Sequence, residues 1–319
     1  MTHTFKLSRR AARFRAPMLA TLLALAFGAC DADELTNTTT DDPSSPVNLA
    51  DPTEAAIPVE TPSLATSFRG GIPFGHFEQP ISAFGDQFSG AKLTVAPGDL
   101  LKYLAGIRAR GGKVVLMFAG NDRHYKDRRG FNMSKWKARI DRFKGINFSS
   151  YINDGTITGH LLVDEPNDPE NWYGKTISPA VVDEMARYSK QRWSRMVTIV
   201  RVAPSYFRNR RPRYLDAAWA QYVTRKGTAP DFIRRNVADA QRSGLGLVVG
   251  LNISKGGPNR SRLSASQVKS FGSALLNSSY PCAFISWQYE SYLLTGSMKD
   301  AMRMLRGKAQ NRSSRSCRG

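Results

Sequence analysis

The feature that most constrains the fold of this chain is a regular alternation of short apolar runs with longer amphipathic segments. Near-continuous apolar runs separated by helical patterns indicate parallel strands covered on both faces by helices. The predicted strands are Gly71–Phe77, Lys113–Ala119, Ile157–Val163, Met196–Val202, Leu245–Ile253 and Cys282–Trp287, with a weaker one at Tyr214–Trp219. The predicted helices are Asp99–Arg110, Ser134–Phe143, Pro179–Trp193, Pro230–Arg242, Ser264–Leu276 and Met298–Leu305.

These elements fit either a closed barrel or an open, doubly wound sheet. No predicted strand is followed by G-x-G-x-x-G or G-x-x-x-x-G-K-[ST], so the usual nucleotide-binding argument for an open sheet is missing. Seven strands are visible where a barrel needs eight, and we place the eighth near Thr94 or within residues 145–156. We therefore predict an α/β fold, with one (β/α)8 TIM barrel over residues 63–310 and a basic C-terminal tail at 311–319.

The first 62 residues have a different character. A basic segment followed by the apolar run Met18–Phe27 is typical of a signal peptide, which we assign to residues 1–29. Gly28-Ala29-Cys30 resembles a bacterial lipobox, which predicts lipidation of Cys30; the alternative is an ordinary cleavage site with an incidental thiol. The rest of segment 30–62 is predicted to be a disordered acidic linker. An exported, periplasmic or extracellular protein, anchored to a membrane through the lipid on Cys30, is expected.

The segment Gly159–Asn167 carries the strongest chemical signal. It is an apolar strand that ends in two adjacent carboxylates, Asp164 and Glu165, and is stopped by Pro166. Parallel α/β barrels keep their active sites at this end of the strands. Adjacent side chains on a strand point to opposite faces, so we expect the two carboxylates to occupy different environments. The alternative is that Asp164 or Asn167 only caps the following loop.

Polar and aromatic side chains follow the other predicted strands as well. In chain order they are His76 and Glu78; Asn121, Asp122, Arg123 and His124; Arg201 and Tyr206; Asp216 and Trp219; Asn252; and Trp287, Gln288, Tyr289 and Glu290. The starts of the strands carry no comparable set. This asymmetry is expected of a barrel whose βα loops form one active-site face, although loops are polar in general.

These residues resemble the glycoside hydrolase superfamily of TIM barrels over roughly residues 68–308. Asp164-Glu165-Pro166 is similar to the Asn-Glu-Pro motif that carries the acid/base glutamate of clan A enzymes, and Ser286-Trp287-Gln288 is similar to their aromatic platform. The sequence departs from the pattern at Asp164, which replaces the asparagine, and no strand before the last ends in a clear nucleophile glutamate. The resemblance implies cleavage of O-glycosidic bonds in a polysaccharide, with Glu165 as general acid/base.

Glycosidic cleavage needs one carboxyl group that protonates the leaving oxygen and a second that attacks or activates water. We assign the first role to Glu165. Candidates for the second are, in order, Glu290, Asp216, Asp122 and Asp164. Candidate sugar contacts are His76, Asn121, Asp122, Tyr206, Asn252, Trp287, Gln288 and Tyr289. Two alternatives stay open. In one, Trp287 is a core aromatic rather than a sugar contact; in the other, the whole barrel is a non-catalytic protein that binds a glycan or the cell envelope.

Other enzyme classes lack their sequence signatures. The four histidines, His3, His76, His124 and His160, form no H-x-H or H-E-x-x-H pattern, and the three cysteines form no cluster. We therefore predict no metal site and no cofactor. His160 lies early in its strand and is interpreted as structural. No G-x-S-x-G elbow supports a serine hydrolase.

Charge is the other unusual property of the chain. The formal net charge is +20; the leader contributes five positive charges and residues 31–60 contribute eight negative ones, so the remaining body carries +23. Basic clusters occur at Lys126–Arg129, Arg208–Arg213 and Lys308–Arg318, the first two in loops on the expected substrate side. An acidic polysaccharide or anionic envelope surface is favoured as partner. No nucleic-acid recognition motif accompanies the charge, and the alternative is a solvated basic surface.

The remaining cysteines, Cys282 and Cys317, form an even pair if Cys30 is lipidated. Cys282 begins the last predicted strand, and the final helix should return the chain to that end of the barrel. A disulfide between them fits this geometry. A buried free thiol at Cys282 is the alternative.

Overall fold

Eight parallel strands close into a barrel within residues 70–318, the part of the chain that the computed structural model describes. They are β1 (Phe74–Phe77), β2 (Gly90–Leu93), β3 (Lys113–Leu116), β4 (Ile157–Asp164), β5 (Thr198–Arg201), β6 (Ala217–Tyr222), β7 (Gly246–Leu251) and β8 (Ala283–Ser286). Each strand pairs with its neighbours in sequence, and β8 pairs with β1. The predicted TIM barrel is confirmed.

Seven α-helices accompany the strands of this region: α1 (Leu100–Ala109), α2 (Met133–Asp141), α3 (Ser149–Asn153), α4 (Pro179–Arg192), α5 (Ala229–Ser243), α6 (Ala265–Leu276) and α7 (Gly296–Gln310). Capping side chains explain where several begin: Ser178, Thr228 and Ser264 accept backbone N–H groups of α4, α5 and α6. The short helix α3 was not predicted. No helix of the described residues is long and apolar enough to cross a membrane.

The eighth strand, for which the sequence offered two positions, is β2, which ends just before Thr94. It pairs with β1 so that Gly75 lies opposite Gly90. A Cβ on Gly75 would lie 1.8 Å from the carbonyl oxygen of Gly90, so this close approach requires glycine. The second position considered, residues 145–156, contains α3 instead.

The weakest predicted strand, Tyr214–Trp219, is displaced by three residues at each end, since β6 begins at Ala217. Asp216 therefore precedes a strand rather than following one. Its carboxylate accepts hydrogen bonds from Lys190 Nζ at 2.6 Å and from the backbone N–H of Thr198 at 2.8 Å, at the start of β5. The prediction that Asp216 lies on the substrate side is wrong, because these contacts hold it at the N-terminal end of the barrel.

The interior of the barrel is filled by apolar side chains from alternate strand positions. This interior cluster contains Phe77, Val115, Met117, Leu161, Ile199, Trp219, Val248 and Ile285. A second layer packs between the strands and the helices, and on β1 it includes Phe74. The C-terminal face therefore carries a cleft above a packed floor rather than a pore.

The C-terminal segment after α7 is tied to the N-terminal end of the barrel. Cys317 forms a disulfide with Cys282, the residue before β8, with a Cα–Cα distance of 5.2 Å. Arg312 also donates to the carbonyl oxygen of Pro281 at 2.9 Å. The alternative of a free thiol at Cys282 is excluded. The predicted signal peptide, the lipidation site Cys30 and the linker all lie outside the described residues.

Candidate active site

The C-terminal ends of the strands surround a cavity of about 590 Å³, within the range of small-molecule sites. Every strand except β6 contributes to it. The lining residues are Glu78, Lys92, Thr94, Met117, Gly120, Asn121, Asp122, Tyr125, Asp164, Glu165, Asn171, Arg201, Asn252 and Trp287. The sequence-predicted residues Asn121, Asp122, Asp164, Glu165, Asn252 and Trp287 are thus brought together.

Asp164 and Glu165 both face this cavity, so the expectation that they point to opposite faces of the strand is wrong. The register between β4 and β5 shifts between Leu161 and Asp164. Glu165 then adopts a φ of 42°, in the left-handed region that non-glycine residues rarely occupy. Together these departures end the strict alternation of side chains at the end of β4, which lets the two adjacent carboxylates converge.

Arg201, at the end of β5, connects the two carboxylates. Its Nε and Nη2 groups donate to both oxygens of Asp164, and Nη1 donates to Gln221 at 2.8 Å. Nη2 also lies 3.4 Å from Glu165 Oε1. Burial lowers the pKa of Arg201, but the charge of Asp164, its hydrogen bond and the charge of Glu165 outweigh burial and leave the pKa raised. Asp164 is thus held on both oxygens, whereas the Glu165 side chain is 45% exposed.

A further glutamate, Glu78, faces the cavity directly after β1, and the sequence reasoning did not place it among the catalytic candidates. Its φ is 52°, again left-handed. Oε1 accepts hydrogen bonds from Lys92 Nζ at 2.5 Å and Thr94 Oγ1 at 2.9 Å, and Oε2 accepts one from the Thr94 backbone N–H at 3.1 Å. Its position one residue beyond an apolar strand, which Glu165 shares, is the signal that could have identified it.

The wall that follows β3 combines a carboxylate with a buried hydroxyl. Asp122 Oδ2 accepts a hydrogen bond from Lys126 Nζ at 2.6 Å. Tyr125 is fully buried, and its hydroxyl has no hydrogen-bond partner among residues 70–318. Burial, together with the negative charges of Asp122 and Asp164, raises the pKa of Tyr125 well above its usual value. A neutral phenol that lines the cavity can therefore donate to a ligand.

Trp287 and Asn252 form the wall that follows β8 and β7. The Trp287 ring packs edge-on against Phe77, with ring centres 5.2 Å apart, and the Arg201 guanidinium lies 5.5 Å from its centre. Trp287 thus belongs both to the packed floor and to the cavity wall. Asn252 Oδ1 accepts the backbone N–H of Lys255 at 2.9 Å, which fixes the amide at the mouth.

Two other predicted sugar contacts do not line the cavity. His76 lies on the outer face of β1, where its ring packs 4.7 Å from Phe88, because its neighbour Phe77 takes the inward position. Burial lowers the pKa of His76 to about 3, so the ring is neutral. Tyr206 donates its hydroxyl to the carbonyl oxygen of Ile177 and packs against the outer core.

Residues 288–290 run from Trp287 away from the cavity, and none of them lines it. The backbone N–H of Tyr289 donates to Phe77, and its ring packs against Phe88. Glu290 accepts a hydrogen bond from Ser254 at 3.0 Å and lies 3.4 Å from Arg262. Gln288, Tyr289 and Glu290, the first choice for second carboxylate, therefore lie outside the cavity.

The basic clusters Lys126–Arg129 and Arg208–Arg213 lie at different ends of the barrel. The first forms a hairpin at the mouth, where Lys126 binds Asp122. The second leads down to β6, and the Arg211 guanidinium lies 2.5 Å from where a Cβ on Gly244 would stand, just before β7. The prediction that both clusters lie on the substrate side is wrong for Arg208–Arg213, because the chain between β5 and β6 returns to the N-terminal end.

Within residues 70–318, no group of three or more His, Cys, Asp or Glu side chains is arranged to hold a metal ion.

Comparisons with known proteins show the fold and no closer relationship. No protein-family model matches the chain, and no curated protein sequence matches it. A putative glycoside hydrolase from Parabacteroides distasonis is similar, with a TM-score of 0.52 at 10% identity, covering 77% of this chain and 96% of that one. Xylanase 10B from Thermotoga petrophila, in complex with xylobiose, has a TM-score of 0.50 at 11% identity and coverages of 81% and 100%.

An endocellulase from Pyrococcus horikoshii, in complex with cellotetraose, gives a TM-score of 0.50 at 9% identity, covering 74% of this chain and 92% of that one. Identities this low show a shared architecture alone. The chain therefore has the TIM-barrel fold found in glycoside hydrolases.

Proposed function

We propose that this protein is a glycoside hydrolase that cleaves O-glycosidic bonds in a polysaccharide, with Glu165 as general acid/base. The observation that carries the proposal is the position of Glu165, whose half-exposed carboxyl group lies at the end of β4 inside a cavity that holds further carboxylates. Hydrolysis of a glycoside requires such a pair of carboxyl groups around the scissile bond.

The neighbouring residues suit the positioning of a sugar. Trp287 offers an aromatic face at one wall, and the unpartnered Tyr125 hydroxyl offers a donor at another. Asp164 is held by Arg201 on both oxygens, so we assign it a positioning role rather than a catalytic one. Glu165 would protonate the glycosidic oxygen as the bond to the anomeric carbon breaks.

The test is a Glu165→Gln variant assayed on a panel of neutral and acidic polysaccharides, including cello- and xylo-oligosaccharides. We expect about a 10³-fold loss of kcat with little change in Tm, because the carboxyl group lowers the barrier and is exposed in the folded state. Glu170→Gln is the matched control, since Glu170 is exposed in the next loop and does not line the cavity. Full activity of Glu165→Gln on a cleaved substrate would exclude this role.

A second candidate function is glycan or envelope binding without cleavage. It is favoured by Asn252, which presents an amide rather than a carboxyl group after β7, and by Lys92, Lys126 and Arg201, each of which pairs with a carboxylate of the cavity. Calorimetric binding of a glycan that the parent protein does not cleave under any assayed condition would select this function over hydrolysis.

We also propose that the protein is exported and held at a membrane by a lipid on Cys30. The Cys282–Cys317 disulfide supports export, since such bonds persist in oxidising compartments. A Cys30→Ser variant should appear in the soluble fraction while the parent sediments with membranes. Mass spectrometry that finds an unmodified N-terminal region on a soluble parent protein would contradict the lipid anchor.

A further inference from the structure

We propose that Glu78 is the second catalytic carboxylate, the base that activates water opposite Glu165. This assignment rests on the proposed hydrolase function and gives a role to a residue that the sequence analysis placed after the first strand without assigning it a catalytic function. Four carboxylates line the cavity: Glu78, Asp122, Asp164 and Glu165.

Two of these four are poorly suited to the role. Asp164 is bound on both oxygens by the buried guanidinium of Arg201, and its side chain is only 31% exposed against 46% for Glu78, so it is the less accessible of the two to a water molecule. Asp122 follows β3, the strand adjacent to β4, and is therefore on the same side of the mouth as Glu165. An acid and a base that act on opposite faces of a sugar ring must come from opposite walls.

Glu78 meets this condition because β1 and β4 are separated by three places around an eight-stranded ring. The cationic partners of the two glutamates, Lys92 and Arg201, both lie close to the ring of Phe77. Lys92 Nζ binds Glu78 and lies 5.3 Å from the centre of the Phe77 ring, and the Arg201 guanidinium, which contacts Glu165, lies 5.5 Å from the same centre. The cations that bind the two glutamates thus flank one aromatic ring at the floor of the cavity.

The environment of Glu78 orients its carboxylate while leaving it accessible. The nearly buried Lys92 and both polar groups of Thr94 hold it through three hydrogen bonds, and its backbone N–H is fixed by the carbonyl oxygen of Lys92 at 2.8 Å. The side chain is nevertheless 46% exposed, on the cavity side. A general base needs this combination of fixed direction and access to water.

An independent observation indicates that the space between these residues receives a polar ligand. The Tyr125 hydroxyl is fully buried, lines the same cavity and has no hydrogen-bond partner within residues 70–318. A buried hydroxyl without a partner is costly, and a bound hydroxyl-bearing ligand or water would satisfy it.

In the proposed step, the Glu165 carboxylic acid donates its proton to the glycosidic oxygen, and the bond from that oxygen to the anomeric carbon breaks. A water molecule on the opposite face attacks the anomeric carbon and forms the new C–O bond, while its proton passes to the Glu78 carboxylate. The products are an alcohol and a hemiacetal of inverted anomeric configuration, and the two carboxyl groups have exchanged protonation states.

The experiment compares Glu78→Gln and Glu165→Gln on two substrates of one sugar: an oligosaccharide that the parent cleaves, and its dinitrophenyl glycoside. The dinitrophenolate leaving group needs no protonation. We therefore expect Glu165→Gln to lose about 10³-fold on the oligosaccharide but less than tenfold on the aryl glycoside, whereas Glu78→Gln loses about 10³-fold on both. Proton NMR of the parent reaction should show inversion at the anomeric carbon.

Since Glu78→Gln leaves the buried Lys92 without its anion, folding is checked through two further variants. Glu78→Asp keeps the charge but withdraws the carboxylate, and should fold while losing at least tenfold in kcat. Glu78→Ala should regain activity on the aryl glycoside in added azide, which attacks without a base and gives a glycosyl azide. Glu170→Gln should match the parent throughout.

Several outcomes would overturn the assignment. If Glu78→Gln cleaves both substrates within tenfold of the parent while Glu165→Gln does not, Glu78 is not the second carboxylate and the hydrolase function stands. Retention of anomeric configuration in the parent reaction would exclude Glu78 as a base for water. A parent protein that binds glycans but cleaves none would refute the proposed function, and this assignment with it.

Discussion

At the scale of single residues, two histidines inside the fold should make the protein sensitive to acid. Burial lowers the pKa of both His76 and His160 to about 3, from about 6.5 for a solvent-exposed histidine. Both rings are neutral in the folded protein at pH 7, whereas the unfolded chain takes up protons below pH 6.5. The contribution of these two histidines to the free energy of unfolding is therefore fully present above pH 6.5, and it is lost as the pH drops toward 3.

We expect each histidine to lower the free energy of unfolding by about 2 kcal/mol between pH 7 and pH 5. His160→Gln retains a polar group near Ser189. It should remove about half of the combined effect of the two histidines, measured by urea unfolding at pH 7 and at pH 5. His124→Gln is the comparison and should remove less, because His124 is exposed, although desolvation and the charges of Arg139, Arg123 and Arg142 lower its pKa as well. An unchanged pH dependence in His160→Gln would show that His160 is not buried as a neutral ring.

The sequence identified much of the cavity because strand ends in a barrel converge on one face. Asp164, Glu165, Asn252 and Trp287 lie there as predicted from this rule alone. What the rule cannot supply is the direction of the last side chain. Glu78 enters the cavity through a left-handed backbone conformation, which the local sequence does not reveal.

At the scale of elements, the disulfide Cys282–Cys317 joins the start of β8 to the segment after α7. The sequence separation is 35 residues, and the closed loop contains β8 and all of α7. Cross-linking a loop of this length restricts the unfolded chain and stabilises the folded state by about 3–4 kcal/mol in the chain-entropy model.

Replacing both cysteines by serine should therefore lower the free energy of unfolding by about 2–4 kcal/mol, measured by urea unfolding without reductant. Adding reductant should weaken the parent toward the double variant and leave the double variant unchanged. Limited proteolysis should cut the segment after Gln310 earlier in the variant. A parent protein that is insensitive to reductant would contradict a stabilising disulfide.

The element boundaries that the sequence missed have identifiable physical causes. Strand β2 has only four residues and includes Gly90 and Lys92, so its apolar signal is weak. The strand β6 was predicted to begin at Tyr214, where the apolar run begins. The backbone N–H groups of Tyr214 and Leu215 instead donate to the carboxylate of Asp183, so they do not pair with a neighbouring strand. A contact from a distant helix therefore sets the start of this strand.

At the scale of the whole molecule, the barrel could be predicted because the alternation of apolar strands and amphipathic helices repeats along the body of the chain. An error at the boundary of a single strand leaves the number of strands nearly unchanged. The placement of the positive charge on the barrel could not be predicted in the same way. The body carries +23, yet its two internal basic clusters lie at opposite ends of the barrel. Only Lys126–Arg129 is placed to meet a substrate at the mouth.

This placement gives a matched comparison between the exposed pairs Arg128/Arg129, at the mouth, and Arg208/Arg210, away from it. Changing either pair to glutamine removes two charges from the molecule. If the hydrolase acts on an acidic polysaccharide, the mouth variant should raise KM for it by about three- to tenfold at low salt, because each exposed charge contributes up to about 1 kcal/mol.

The variant at Arg208 and Arg210 should leave KM closer to that of the parent, since neither residue lines the cavity and the Arg208 guanidinium lies 3.9 Å from Asp239, late in α5. The difference between the two variants should shrink with added salt, and a neutral polysaccharide should not distinguish them. Kinetics at two salt concentrations on one acidic and one neutral substrate measure this directly. Equal effects of both pairs would mean that the net charge of the body, and not the charge at the mouth, attracts the polymer.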